Sequence, residues 1–584
     1  MTGRQASFHQ PCSPVILWGC DSVRHSVTVD TLEKVSHLML RRLSPRLRLV
    51  HCGIALVLSS LLFTEPLTAE VPAVTALFPS GVQAGQAVSV KLQGAVGTAP
   101  VEVWIDRTDL TIQATEKPDE FTFTATADAR PGVAWVRWHN AEGASDLRPF
   151  VMGTLPEMAE VEPNNATQEA QVIPTSPVIV NGSLHKGGEL DTFAVTLKAG
   201  ETLVASMEAN RTLPSPMDAV LQLVDTQGFV IEQNDDWLAS DPQIVWTAPA
   251  DGTWLIRIFT FPSTPDSTIQ YAGGANDIYR LLLTTGPVIN HVVPLLKQPG
   301  EVTPHGWNLP AEKLTVTGDL SALRLSAFSN GSPTPVTFSM DQLPASQGSV
   351  VIEDAVASVQ MLTIPSSVSG TIEVPGDSDR FQFFGMKGQA FRFRTHTKSL
   401  GSQLDPVVRF LNSTGEVVTV QDDSGELVDP NFDIVIPVDD NYTVEVSDRF
   451  QTGSEWHFYS LTLLPEVPDL ELSVAGNRFT LDRAKPLEIP VTINRLTGLN
   501  VPIQFTVEGL PAGVTFEPVE SKPEGDTAKA VTLKLSVAAD SATARGPIQI
   551  VGRTIGPDLT RQATGPIEGV KATTSQLWIT LPAK

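Results

Sequence analysis

The sequence predicts an all-β chain built as tandem β-sandwiches of immunoglobulin-like and jelly-roll type. Three observations predict it. Apolar and polar residues alternate with period two through runs such as Val88-Ser-Val90-Lys-Leu92 and Phe121-Thr-Phe123, the pattern of a half-buried strand. Forty-five prolines and 42 glycines punctuate these runs while aromatic residues make up only 7% of the chain, a composition that suits short strands joined by turns. Finally, one pattern is used twice. Gly182, Asp191, Phe193 and Gly200 recur as Gly370, Asp379, Phe381 and Gly388, with nine residues from glycine to aspartate and eighteen from glycine to glycine in both. Asp218 and Gly228 then match Asp405 and Gly415, and the pair Asp235-Asp236 matches Asp422-Asp423. Asp241-Pro242 and Asp429-Pro430 follow, each ten residues before Asp251 or Asp439. Such an echo marks a duplicated domain, and it repeats turn residues and buried strands with no catalytic group among them.

At 584 residues the chain is too long for one core, and about four domains of roughly 150 residues are expected. Residues 1–69 read as an N-terminal extension and export signal. Arg41, Arg42, Arg46 and Arg48 precede the apolar stretch Gly53–Phe63, and Pro66-Leu-Thr-Ala69 offers a small residue for cleavage. That stretch of eleven residues falls short of the about twenty that a helix needs to span a bilayer, so no membrane span is expected in the mature chain. Cys12, Cys20 and Cys52 all precede the cut, which leaves the mature protein without disulfides, thiol catalysis or Cys-bound zinc.

Residues 70–154 alternate cleanly through Val101-Glu-Val103-Trp-Ile105 and Val133-Ala-Trp135-Val-Arg-Trp138, an immunoglobulin-like sandwich. Its opening, Phe78-Pro-Ser-Gly-Val-Gln-Ala-Gly85, resembles IPT/TIG-type domains of exported bacterial proteins. Residues 155–286 and 346–465 are the two copies of the repeat. Residues 287–345 are a Pro-rich linker with a degenerate β-module around Leu314-Thr-Val316 and Val336-Thr-Phe338. Residues 466–584 form a last immunoglobulin-like sandwich, with strands at Leu470–Leu472, Leu487–Val491, Ile503–Val507 and Val531–Leu535.

The repeat resembles the bacterial pre-peptidase C-terminal domain, a jelly roll found on secreted peptidases and on non-catalytic exported proteins. Glu160-Val-Glu162-Pro-Asn164-Asn165, Gly182, Asp191-Thr-Phe193, Asn234-Asp235-Asp236 and Asp251-Gly-Thr-Trp254 carry the resemblance. In the collagen-binding members of that family the opening segment and the aspartate before the Phe strand bind calcium. Carried over by position, the resemblance implies Glu160, Glu162, Asn164, Asn165 and Asp191 as Ca2+ ligands, and calcium does favour six to eight such oxygens. Two departures weaken the set: Asn165 stands where an aspartate is usual, and Gly188 replaces an acidic ligand. The second copy has Val351-Ile-Glu-Asp-Ala355 in place of the opening.

Other constellations carry less. Adjacent carboxylates such as Asp235-Asp236 point to opposite sides of a strand, so they read as turn formers. His139, His185, His291, His305, His396 and His457 show no metal-ligand spacing, and no Gly-x-Ser-x-Gly elbow is present. Trp104, Trp135, Trp138, Trp237 and Trp246 could stack on carbohydrate, and of Trp135 and Trp138 one is expected to be exposed. Lys and Arg number 40 against 65 Asp and Glu, for a net charge of −25; such a surface repels nucleic acid and attracts cations. The expectation is an exported, non-catalytic protein of the cell envelope or extracellular space. It would present its modules to an extracellular polymer, a polysaccharide or fibrous protein, or to a cell-surface protein, with calcium stiffening the first repeat. The rival expectations are an accessory partner of a secreted peptidase, a structural stalk, and an enzyme with a site built from scattered loops.

Overall fold

Alternation along the chain sets the layers. In the strand Ala87–Ala95, Val90 and Leu92 are buried while Ser89 and Lys91 face solvent, and Leu487–Leu496 and Ala530–Val537 alternate likewise, whereas the central strand Ile278–Thr284 is buried on both faces. The computed structural model describes residues 69–584 apart from 175, 263–269, 298–299, 310–313, 317–346, 354–358, 425–427, 557, 571 and 584. The expected export signal, the three cysteines and the strand expected at Val336–Phe338 lie outside the described residues. Among the described residues, regular structure is strand throughout apart from one 3-10 turn at Lys398–Leu400. No helix there is long and apolar enough to cross a membrane.

The first sandwich pairs Ala73–Phe78, Ala87–Ala95, Glu120–Ala125 and Leu110–Ala114 in one sheet. Its partner sheet holds Gly81–Gln83, Arg148–Gly153, Gly132–His139 and Glu102–Ile105, and Phe123, Trp138 and Phe150 fill the space between. Trp138 is buried and Trp135 half-buried, so neither is the exposed ring their three-residue spacing predicts; this strand is covered on both faces from Val136 to His139. The last sandwich sets Asp469–Ser473, Leu487–Leu496, Ala530–Val537 and Val514–Phe516 against a sheet built on Ala544–Thr554 and Leu577–Leu581.

Between them lie two domains with the same strand order. The first contains β1 (Glu157–Ala159), β2 (Gln171–Val172), β3 (Val178–Ser183), β4 (Asp191–Leu197), β5 (Thr202–Glu208), β6 (Ala219–Val224), β7 (Val230–Asn234), β8 (Gln243–Thr247), β9 (Gly252–Thr260) and β10 (Ile278–Thr284). The second contains β11 (Ser349–Ile352), β12 (Gln360–Met361), β13 (Ser366–Thr371), β14 (Ser378–Gly385), β15 (Ala390–His396), β16 (Pro406–Leu411), β17 (Val417–Gln421), β18 (Asn431–Val435), β19 (Asp440–Asp448) and β20 (Phe458–Pro465). The sheets run β2-β4-β9-β6-β7 and β8-β5-β10-β3-β1 in one domain, and β12-β14-β19-β16-β17 and β18-β15-β20-β13-β11 in the other.

The repeated residues now have physical reasons. Gly182 on β3 pairs with Tyr279 on β10, and Gly370 on β13 pairs with Tyr459 on β20. A Cβ at either glycine would collide with the tyrosine, 2.1 Å from Tyr279 Cζ at Gly182 and 2.4 Å from the Tyr459 hydroxyl at Gly370. The hydroxyl end of the ring thus passes over the glycine and donates to Asp191 or Asp379 near the start of the next strand. Gly200 and Gly388 hold φ near 84° and 85°, a left-handed turn that other residues resist. Asp251 and Asp439 cap that turn by accepting the N–H of Ala199 and of Lys387.

Val288–Val293 and Gly300–Trp307 form an antiparallel pair after the first repeat, with Leu314–Val316 as third strand. This pair leans on the second repeat, where the His291 ring stacks on Phe458 at 3.7 Å. The domains are not independent beads. The first and last sandwiches dock through Asp146, whose carboxylate accepts the Asn477 amide at 2.8 Å and the Glu568 N–H at 2.9 Å. Arg137 bonds the Asn477 side-chain oxygen and lies over the Trp578 ring, which Trp104 meets edge-on.

Candidate metal centre

The opening of the first repeat and the start of β4, which the family resemblance implies as one site, come together in the fold. Glu160, Glu162 and Asp191 each place a carboxylate oxygen within 4.8 Å of the other two. β1 positions the segment, because it runs parallel to β3 and hands the Glu160 N–H to the Asn181 carbonyl. Glu160 Oε1 accepts the Ser183 N–H at 2.7 Å and lies 3.8 Å from His185 Nε2. Asp191 Oδ2 accepts the Tyr279 hydroxyl at 2.5 Å, and the same hydroxyl is 3.3 Å from Glu160 Oε2. Glu162 is the exposed member and accepts the Asn164 N–H at 3.1 Å.

The two asparagines play different parts. Asn165 supports the turn, its side-chain oxygen accepting the Leu190 N–H at 3.1 Å. Asn164 is fully buried, its backbone oxygen takes the Thr192 N–H, and both polar atoms of its side chain lack a protein partner. Asp191 Oδ1 is also buried without a partner. Buried polar atoms are rarely left so, and each is an oxygen or amide that a bound ion or its water would satisfy.

Charge points the same way. Burial raises the Glu160 carboxyl well above its ordinary range, and the neighbouring Asp191 adds to it. Burial likewise raises Asp191 to about 7, with Glu162 and Glu189 adding repulsion and the Tyr279 hydroxyl opposing. Three carboxylates this close cannot all ionise without a counter-charge. Oxygens on a calcium shell of about 2.4 Å radius lie at most about 4.8 Å apart, so the cluster has the span such an ion needs.

Tyr279 was absent from the sequence-based ligand set. A signal for it existed, since the chain has four tyrosines and two of them, Tyr279 and Tyr459, occupy equivalent places. The second repeat keeps this core: Tyr459 bonds Asp379 at 2.6 Å, and burial raises Asp379 to about 7. Its opening is closer to the first than the residues alone indicate, because Glu353 hands its N–H to Ser369 as Glu160 does to Asn181.

The remaining sequence candidates are placed elsewhere. Trp104 packs at the docking surface of the outer sandwiches, Trp138 is core, and Trp246 rests on Trp254 at 4.6 Å. Asp235 and Asp236 lie exposed in the turn after β7, while Arg449 pairs with both Asp422 and Asp423.

No family model matches the chain. A probable subtilase-type serine protease of Deinococcus radiodurans is 28% identical over 156 residues, 26% of this chain and 20% of that protein. The chain thus spans about a fifth of that relative's length. Among solved structures, the pre-peptidase C-terminal domain of a Bacillus anthracis collagenase aligns over 98% of its length and 19% of this chain, at 9% identity and a TM-score of 0.15. A periplasmic inhibitor of g-type lysozyme from Aeromonas hydrophila aligns over 98% of its length and 20% of this chain, at 11% identity and a TM-score of 0.14.

Proposed function

We propose that this chain is an exported, non-catalytic binding protein whose two repeats are pre-peptidase C-terminal domains, flanked by an IPT/TIG-like sandwich and a second immunoglobulin-like one. It presents these modules to an extracellular polymer or surface partner, and calcium rigidifies the first repeat. The observation that carries the calcium part is the Glu160, Glu162 and Asp191 cluster with the unpartnered side chains of Asn164 and Asp191 beside it. Those residues hold the ion, which supplies charge neutralisation and ties the segment before β2 to β4. Asn165 sets the turn rather than the ion.

The contacts between outer sandwiches favour a docked assembly of modules over an extended stalk. Two ligand sites held in fixed relation raise avidity without new contacts. A second reading, an accessory partner of a secreted peptidase, is favoured by the stretch shared with the Deinococcus protease.

Co-sedimentation of the purified chain with insoluble collagen, cellulose, chitin and peptidoglycan, in calcium and in EGTA, tests the proposal. Retention on one polymer that EGTA weakens supports it. Absence from every pellet removes polymer binding and leaves the peptidase partner, which pull-down with a secreted subtilase would then examine.

A further inference from the structure

The Asp-Pro pairs of the duplicated pattern lead to a second site. In each repeat the aspartate is buried and staples a distant loop. Asp241 Oδ1 accepts the N–H of Ala209 at 3.1 Å and of Asn210 at 2.8 Å. Asp429 Oδ1 accepts the N–H of Thr397 at 3.1 Å and of Lys398 at 3.0 Å. Held this way, the hairpin between β7 and β8 and the loop between β15 and β16 line an open cleft of about 680 Å³. Its walls include Asp236, Trp237 and Ser240 from the first repeat, and Lys398, Ser402 and Gln403 from the second. The volume lies within the range of about 300–1,000 Å³ in which small ligands bind.

Three half-buried tryptophans gather at this place. Trp237 meets Trp307 at 5.9 Å with planes at 60°, and Trp307 stacks on Trp456 at 5.1 Å and 14°. The Trp456 carbonyl accepts the Gln403 N–H at 2.8 Å, which ties the stack to the far wall. An edge-to-face contact engages at most one face of a ring, so Trp237 keeps a face for another group. Ala239, in the same wall, holds φ at 53°, a left-handed backbone that a non-glycine residue adopts only when its surroundings fix it.

We propose that this cleft between the repeats binds a pyranose segment of a glycan. The C–H face of a sugar ring stacks on Trp237, and its rim hydroxyls meet the polar walls. Asp236 has no ion-pair partner among the described residues and is exposed at the rim of the cleft, where its carboxylate can accept from paired sugar hydroxyls. Gln403, Ser240 and Ser402 add neutral donors and acceptors. Lys398 Nζ donates to the Gln403 carbonyl at 3.0 Å, which fixes the ammonium in the wall as a further donor. A peptide with apolar anchors would want an apolar floor, and here Trp237 alone among the six offers a large one. The inference deepens the polymer-binding reading and rests on it, but at a place apart from the carboxylate cluster.

The test uses the full chain, with tryptophan fluorescence and calorimetry against cellohexaose, chitohexaose, xylohexaose and mannohexaose, and against a tryptic digest of casein as peptide probe. The expected result is saturable binding of at least one hexaose. Trp237→Ala and Gln403→Ala each weaken it at least tenfold, while Glu524→Gln, at an exposed position of the last sandwich, leaves it unchanged. Gln403→Ala spares the aromatic stack, so its effect is read without disturbing the fold. Binding of no hexaose, binding that both variants retain, or binding of casein peptides alone overturns the assignment. Pelleting with a polymer while no hexaose binds would remove the cleft and leave the polymer reading standing. Hexaose binding by a chain that never pellets would do the reverse.

Discussion

Gly182→Ala should strongly destabilise the first repeat. The backbone at Gly182 is not in the left-handed region, so conformational freedom does not demand glycine there. Space does. The added Cβ would lie 2.1 Å from Tyr279 Cζ, 2.2 Å from its hydroxyl and 2.6 Å from Cε2. Tyr279 is fully buried, so the ring cannot swing into solvent. Overpacking of this kind costs about 1–3 kcal/mol, and losing the Tyr279 bond to Asp191 adds about 1–3 kcal/mol. The gain from a stiffer unfolded chain returns only about 0.4–1 kcal/mol. The net is a loss of about 2–5 kcal/mol, read by differential scanning calorimetry as a fall of roughly 10–20 °C in the transition of that domain. Tyr279→Phe on top of Gly182→Ala removes the hydroxyl contact and should recover part of the loss, a coupling that a double-mutant cycle measures. Gly370→Ala, with a nearest approach of 2.4 Å, should follow the same direction in the second repeat. A Gly182→Ala protein within about 0.5 kcal/mol of wild type would refute the packing argument.

Three other predictions rest on separate parts of the molecule. Asp146→Ala leaves the Asn477 amide and Glu568 N–H without their acceptor and should cost about 1–3 kcal/mol, seen as faster hydrogen exchange where the outer sandwiches dock. Asp241→Ala releases the loop after β5 and should raise exchange at Ala209 and Asn210 while leaving β3 and β4 protected. His291 is pushed down to about 3 by burial, with His305 adding repulsion. Its folded value lies below the unfolded 6.5, so its contribution is whole above about pH 6.5 and drains as pH falls toward 3. Urea unfolding of the wild type and of His291→Phe across that window checks it, the variant showing the shallower loss.

The layers of this fold were legible because burial on one face forces alternation, and runs such as Val88–Leu92 record it residue by residue. The duplicated glycines and aspartates were legible as a pattern, while their reasons were not. That Gly182 exists for Tyr279 depends on a strand pairing nearly a hundred residues apart in sequence, which local periodicity does not encode. The docking of the outer sandwiches was invisible for a similar cause: Asp146 and Asn477 are loop residues, and nothing local marks a loop polar group as buried. At the candidate site, Glu160, Glu162 and Asp191 converge as the family resemblance implies. Asn165 turns out to support the backbone, and Glu353 shows that the second opening keeps more of the first than its letters indicate. Trp237 stood in the sequence as one tryptophan among several; only the meeting of two loops from different repeats gives it a cleft.

The central claim is that the cluster at Glu160, Glu162 and Asp191 is a calcium site, and calorimetric titration of the purified chain with calcium in two buffers of different ionisation enthalpy tests it most directly. The account predicts saturable binding by the first repeat. Protons should be released as calcium enters, because burial leaves Glu160 and Asp191 protonated at neutral pH more than ordinary carboxyls. Asp191→Asn and Glu160→Gln should each abolish that binding. Calcium binding of equal strength in both variants, or no binding by the wild-type chain, would contradict it.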